Sequence, residues 1–247
     1  MKMLRNMSLV GCLVAGALAA PMAAQAIPLF ASSATMQLTG VQGPAMGGVY
    51  TSPYTALIGP GGESLAQLQQ DGISTPIYCD DFLTDVGIGQ FWQAGVTNMS
   101  ALSGISSPLQ SLKFDTGVAA QQQQQDYMAV AYLAEQIAAT DQSTSAGKTT
   151  AGQLSFALWA VFDAAALNNL GSIDHSAASQ DITDARSAVV SDDPNQFSNV
   201  EIYTPTPLNA SQEYIVVRSV PEPATLSLMG LGLFGAGFSA RRRKRKA

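Results

Sequence analysis

The C-terminal end of the chain carries three signals in a fixed order. Val220-Pro221-Glu222-Pro223 is followed by 17 uncharged residues, Ala224 to Ala240, and then by six consecutive cations, Arg241 to Lys246. As a helix the uncharged run would be about 26 Å long, close to the ~30 Å hydrocarbon core of a bilayer. The prolines resist helix before this run, and the cations favour the cytoplasmic face. The sequence therefore predicts a single transmembrane helix at residues 224–240, with the preceding domain outside the cytoplasm.

This arrangement resembles a PEP-CTERM sorting signal. The Val-Pro-Glu-Pro motif, the Gly/Leu-rich hydrophobic segment and the Arg-rich terminus match in order and spacing over residues 220–247. The resemblance implies that Pro221, Glu222 and Pro223 are recognised by a membrane-embedded exosortase, with cleavage near the motif. It also implies export to the cell surface or extracellular matrix of a Gram-negative bacterium, in association with exopolysaccharide and biofilm. The predicted helix would then anchor the protein in the inner membrane only transiently.

The N-terminus predicts export through the general secretory route. Lys2 and Arg5 form a short basic region, Met7 to Ala20 an apolar region, and Ala24-Gln25-Ala26 a small-x-small cleavage site. We therefore expect a signal peptide at residues 1–26 that signal peptidase removes. An extracytoplasmic domain at 27–219 and the sorting signal at 220–247 complete the expected organisation.

The domain between the two terminal signals is strongly acidic. Residues 27–219 contain four bases against 17 acids, a formal charge of −13, whereas the whole chain carries −6. Such a surface argues against nucleic acid as a partner, because affinity for nucleic acid comes largely from cations that neutralise phosphates. It is compatible with calcium or with a hydrated polysaccharide matrix. His175 is the single histidine, which excludes a multi-histidine metal site, and we expect no cofactor.

The apolar pattern predicts an α+β fold, an antiparallel β-rich domain with two to three inserted helices. The first helix is expected at residues 126–139, with Asp126 as its N-cap. The second is expected at 153–167, with Thr150 and Gln153 as a capping box, and a weaker third at 180–190. The Gly/Pro-rich stretch 44–60 is expected to be loop. Strands are predicted near 35–41, 77–79, 89–97, 200–203 and 213–218.

Cys79 is the only cysteine that remains once the signal peptide is removed, so no intramolecular disulfide can form. The segment Tyr78-Cys79-Asp80-Asp81-Phe82, and the stretch from Tyr132 to Gln136 that leads to the segment Ser155 to Asp163, resemble a recurring type of PEP-CTERM protein. The pattern is also similar to bacterial surface thioester domains. That resemblance implies a bond between the Cys79 thiol and a glutamine side chain, which would capture a surface nucleophile covalently.

The glutamine of such a thioester is expected four residues before Trp159, where this chain has Ser155. Gln153 lies six residues before Trp159 and is the candidate partner of Cys79. Gln153 lies two positions before the expected glutamine, so on a helix its side chain would point about 200° away from that position. The capping box is a structural explanation for Gln153 that involves no thioester. The structural alternative for Cys79 is that it serves only as a small buried apolar residue.

Asp80, Asp81 and Asp85 offer hard oxygen ligands of the kind that calcium takes, although without the regular spacing of a calcium loop. The alternative is that these aspartates bind no metal and lie at a strand end exposed to solvent. Asp174-His175 is accompanied by no Gly-x-Ser-x-Gly elbow, which argues against a hydrolase triad. The sequence thus favours a non-enzymatic surface or matrix protein. A thioester adhesin that uses Cys79, and a polysaccharide-modifying enzyme, are the alternatives.

Overall fold

A computed structural model describes residues 32–218 of the chain. Its strands are β1 (Ser33–Val41), β2 (Ala45–Met46), β3 (Val49–Tyr50), β4 (Tyr54–Pro60), β5 (Ile73–Cys79), β6 (Phe91–Asn98), β7 (Val200–Thr206) and β8 (Tyr214–Val217). Its α-helices are α1 (Leu65–Asp71), α2 (Ala120–Ala139), α3 (Ser145–Ala160) and α4 (Ser172–Val189). Shorter 3-10 turns cover Met99–Leu102, Ala164–Asn169 and Pro194–Phe197.

Six of these strands close into an antiparallel barrel in the order β1-β4-β5-β8-β7-β6. The C-terminal strand β8 closes the barrel, because it pairs with β5 through Tyr78 and Ile215 and with β7 through Tyr203 and Tyr214. Closure leaves none of these six strands with a free edge. The expected antiparallel α+β class is confirmed, and the closed barrel is a feature that the sequence did not predict.

The barrel core and the helical layer form one continuous apolar interior. Inside the barrel, Trp92 stacks on Tyr214 with ring centroids 5.8 Å apart, and Tyr54 meets Tyr214 edge to face at 6.2 Å. The three long helices pack against one another, and α2 also contacts β8. Helix α2 therefore lies beside the strand from which the chain runs toward its C-terminus.

The prediction that the first long helix begins at Asp126 is wrong, since α2 begins at Ala120 and includes the glutamine tract. Glutamine has a good helix propensity. The buried Gln123 side chain also accepts a hydrogen bond from Leu109 N at 2.7 Å and donates to Phe114 O at 3.1 Å. Asp126 is an interior helix residue that pairs with Arg186. The tract therefore ties the helix to the preceding loop.

The bounds predicted for the other two helices are also wrong. Thr144 caps α3 by accepting a hydrogen bond from Gly147 N at 3.0 Å, so Thr150 and Gln153 lie inside the helix and form no capping box. α3 ends at Ala160, and α4 starts at Ser172 where residue 180 was predicted. The first turns of both helices bury no large apolar side chain, since that of α3 has none and Ile173 of α4 is 82% exposed, so apolar periodicity gives no signal there.

The stretch 44–60, predicted to be loop, holds three strands. Gly47 and Gly48 turn the β2–β3 hairpin with φ of 58° and 82°, a conformation that favours glycine. β4 then pairs with both β1 and β5. Helix α1 was not predicted, although Ser64 and Gln67 form its capping box.

No helix within residues 32–218 is long and apolar enough to cross a membrane. The predicted signal peptide at 1–26, its cleavage residues Ala24 and Ala26, and the predicted transmembrane helix at 224–240 lie outside the described residues.

Candidate functional site at the barrel end around Cys79

The two segments that carry the thioester-domain resemblance meet in space at the end of β5. The ring of Phe82 lies 5.3 Å from that of Trp159 and 6.4 Å from that of Phe156, measured between centroids. Phe156 and Trp159 also contact each other edge to face at 4.9 Å. An aromatic cluster therefore joins the loop after Cys79 to helix α3.

Cys79 itself is a fully buried free thiol. Its Sγ donates to the carbonyl of Asp81 at 3.2 Å and accepts from the Asp81 N–H at 3.4 Å. Burial raises the pKa of the Cys79 thiol well above its usual value, and the charge of Asp80 adds to this, while the hydrogen bond from the Asp81 backbone opposes it. The Trp159 indole approaches the thiol, but its buried N–H makes no well-formed hydrogen bond. The thiolate that would react as a nucleophile is disfavoured here.

Ser155, and not Gln153, is the α3 residue linked to Cys79. The Cys79 N–H donates to Ser52 Oγ at 3.0 Å, and the Ser52 N–H donates to Ser155 Oγ at 3.1 Å. The Gln153 amide instead donates to Asp174 Oδ1 on α4 at 2.9 Å. A serine hydroxyl offers no acyl carbon to a thiol, so a Cys79–Gln153 thioester would require Gln153 to leave its present partner. That bond stays a prediction.

Asp81 forms a buried ion pair with Lys113, with the two side chains only 1% and 14% exposed. Lys113 Nζ also donates to Thr84 Oγ1 at 2.9 Å and to the Ser211 carbonyl at 3.0 Å. The other carboxylate oxygen of Asp81 accepts from the N–H groups of Leu83 and Thr84 at 3.0 and 3.2 Å. Both oxygens of Asp81 are thus satisfied by the chain itself.

Asp80 and Glu213 form a buried pair of acids. Glu213 accepts from Tyr127 OH at 2.7 Å, from Lys113 N at 3.0 Å and from Thr204 Oγ1. The Asp80 carboxyl contacts Glu213 and receives no hydrogen bond from an ordinary donor in the described part of the chain. Burial and the charges of Glu213 and Asp81 raise the pKa of Asp80 well above its usual value. Since two buried acids in contact do not both ionise, we expect Asp80 to be the protonated member of the pair and to donate to Glu213.

We expect this acid pair to make stability fall as pH rises. The Asp80 pKa is raised in the folded protein, so its contribution is complete below the unfolded value of about 4 and is lost as pH rises toward the folded value. Urea denaturation between about pH 5 and pH 9 should show this decline in the wild type. Asp80→Asn, which keeps a donor for Glu213, should flatten it.

Asp85→Asn is the matched control for that experiment, because Asp85 is exposed. Its pH dependence should follow the wild type. A decline that is equally steep in wild type and Asp80→Asn would contradict the shared proton.

The three acids proposed as calcium ligands do not form a metal site. Asp80 faces Glu213, Asp81 is bound by Lys113, and Asp85 is exposed. Among residues 32–218, no group of three or more His, Cys, Asp or Glu side chains could hold a metal ion. The alternative of a solvated strand end is also wrong for Asp80 and Asp81, which are buried.

A cavity of about 360 Å³ borders this cluster through Asp81 and Trp159. Its aromatic walls come from the β2–β3 hairpin, β4, the loop after β5 and α3. No basic residue lines it. The full lining is Leu38, Val41, Val49, Tyr50, Tyr54, Asp81, Phe82, Asp85, Val86, Ile88, Trp159 and Gln212.

The described chain remains part of the fold up to its last residue. The Arg218 N–H donates to the Asn199 carbonyl at 2.8 Å, and the Arg218 guanidinium pairs with Glu201 at 2.5 Å. Glu201 lies on β7 and is 1% exposed. The barrel therefore continues to the residue that precedes the C-terminal signals. Pro221, Glu222 and Pro223 themselves lie outside the described residues.

The family model of the PEP-CTERM protein-sorting motif matches residues 219–244. No curated protein and no solved structure matches the chain. The match covers the Pro-Glu-Pro residues, the whole uncharged run and the first four cations, which confirms the sorting-signal resemblance. The thioester-domain resemblance gains no such support. The chain thus carries a PEP-CTERM sorting motif that begins where its barrel ends, and it is an exosortase substrate exported from a Gram-negative cell.

Proposed function

We propose that the chain is a non-enzymatic surface or extracellular-matrix protein with a structural or adhesive role in a biofilm or exopolysaccharide. The observation that carries this proposal is the position of the sorting motif at 219–244, directly after Arg218. Because β8, the strand that closes the barrel, ends at Val217, cleavage within or after the motif leaves the whole barrel intact. The cargo delivered outside the cell is then the complete folded domain.

The route in this proposal has three steps. The secretion machinery exports the chain and signal peptidase removes residues 1–26 after Ala26. The apolar segment 224–240 holds the protein in the inner membrane, with the cations 241–246 inside. Exosortase then recognises Pro221, Glu222 and Pro223, and cleavage ends the anchoring.

The charge of the delivered domain supports a matrix role. With four bases and 17 acids between residues 27 and 219, the domain has an acidic balance that favours hydration and does not favour nucleic acid. Three of the four bases are already engaged in ion pairs with carboxylates of the chain, namely Lys113, Arg186 and Arg218. Exopolysaccharide remains the partner that fits this setting.

The two alternatives find less support in the geometry. A polysaccharide-modifying enzyme needs carboxyls that reach a substrate, whereas Asp80 and Glu213 are at most 1% exposed. A thioester adhesin needs an acyl group at Cys79, whereas Gln153 is bonded to Asp174.

Replacement of Cys79 distinguishes the proposal from covalent adhesion. We expect a deletion strain to lose biofilm mass and to regain it equally with the wild type and with Cys79→Ala, because retention depends on the folded barrel. Surface protein and biofilm mass are the measured quantities. Under the thioester alternative, Cys79→Ala and Gln153→Ala would both fail to restore retention, to the same extent.

An intact mass of the wild-type protein gives an independent check. A thioester lacks one ammonia and reacts with methylamine, so a mass with the full amide and a free thiol agrees with the proposal. Urea denaturation of Cys79→Ala guards against a variant that is merely unfolded.

A further inference from the structure

We propose that the cavity at the barrel end binds a small amphipathic amine, an apolar group that ends in an ammonium. This inference goes beyond the proposed function and does not depend on it. The cavity volume of about 360 Å³ lies in the range of small-molecule sites.

The walls of the cavity are suited to an apolar group. Tyr54, Phe82 and Trp159 supply aromatic surface, and five aliphatic side chains add to the apolar lining. Tyr50 and Ile88 are 64% and 68% exposed, although both also line the cavity. Exposed apolar side chains that cluster around one cavity are typical of a ligand-binding site.

The charge of the cavity selects a cation. Its only ionisable acids are Asp81 and Asp85, and the first is already neutralised by Lys113. Asp85 is exposed and takes part in no ion pair within residues 32–218. An ammonium beside Asp85 would also face the rings of the cavity, an arrangement that gains cation–π attraction.

The polar groups of the cavity disfavour a neutral polyhydroxy ligand. Gln212 donates to the Asp81 carbonyl at 3.0 Å and accepts from Tyr214 OH at 2.9 Å. Tyr54 OH donates to the Tyr50 carbonyl at 2.6 Å. These groups are already satisfied within the protein, so few of them remain to pair with sugar hydroxyls. An anionic ligand would meet Asp85 without a compensating cation.

Three probes of equal chain length and different charge test this proposal: n-hexylammonium, hexanol and hexanoate. The secreted protein contains two tryptophans, of which Trp159 lines the cavity, so tryptophan fluorescence reports binding. We expect hexylammonium to bind about fivefold more tightly than hexanol, and hexanoate to bind most weakly. Added salt should weaken the binding of hexylammonium and leave that of hexanol unchanged.

Asp85→Asn should reduce hexylammonium affinity to that of hexanol without changing hexanol affinity. Asp184→Asn is the matched control, because it removes the same charge from an exposed position on α4 that does not line the cavity. Tyr50→Ala should weaken both ligands.

Three outcomes would overturn the proposal. These are equal affinities for the three probes, no saturable binding of hexylammonium, and the same loss of affinity in Asp184→Asn as in Asp85→Asn.

Discussion

Replacing Lys113 by methionine should lower the free energy of unfolding by about 3–5 kcal/mol. The variant keeps most of the apolar stem but removes the ammonium that pairs with Asp81, whose side chain is 1% exposed. An unpaired carboxylate would then remain buried, and the Thr84 hydroxyl and the Ser211 carbonyl would lose a donor. Urea denaturation at neutral pH measures the difference.

Arg186→Met is the matched control, because it breaks an ion pair whose arginine is 50% exposed. Its partner Asp126 is only 7% exposed, but it keeps the hydrogen bond from the Gln122 amide when the arginine is removed. We expect Arg186→Met to cost at most about 1 kcal/mol. The double variant Lys113→Met with Asp81→Asn should recover much of the loss, since it neutralises the stranded charge and keeps an acceptor for the Leu83 and Thr84 N–H groups. If Lys113→Met lowers the free energy of unfolding no more than Arg186→Met does, the buried Lys113–Asp81 pair does not have the special importance for stability that is expected here.

Much of the fold follows from local patterns in the sequence. Alternating and apolar runs located the barrel strands β1, β5, β6, β7 and β8 to within a few residues. Closure of the barrel was not predictable in this way, because it depends on β8 pairing with β5 across more than 130 residues. β4 was missed because Pro53 and Pro60 mark its ends and made the stretch appear to be loop.

The helix bounds show where periodicity gives no signal. The second long helix was predicted from the apolar residues after Gln153, yet α3 starts at Ser145, and its first turn contains no large apolar residue. A polar first turn can be helical when a cap such as Thr144 satisfies its N–H groups. Thr150 and Gln153 have the spacing of a capping box but lie inside the helix.

The candidate site was predictable only in part. The resemblance singled out the segments around Cys79 and Trp159, and these segments do meet through Phe82. The partners of the acids were missed, because Lys113 lies 32 residues from Asp81 and 100 from Glu213 along the chain. The one sequence signal that pointed to Lys113 as a partner of these acids was that residues 27–219 contain only four bases.

The sorting motif is the feature of the chain that the sequence identifies most completely. Its Pro-Glu-Pro core, uncharged run and basic end are local features, so no tertiary contact is needed to recognise them. The structure adds the point at which the folded domain meets the motif. Arg218 is bonded to β7 and to the loop before it, and the motif begins at the next residue, 219.

Replacement of Pro221 and Glu222 by alanine, followed by cell fractionation and an intact mass, tests whether exosortase sorts this chain through its Pro-Glu-Pro motif. Cys79→Ala is the control, which should be processed as the wild type is. We expect the wild type outside the inner membrane in a form that has lost residues 224–247, and the Pro221→Ala/Glu222→Ala variant in the inner membrane with these residues still attached. Release of that variant in the same shortened form and amount as the wild type would contradict exosortase sorting through this motif.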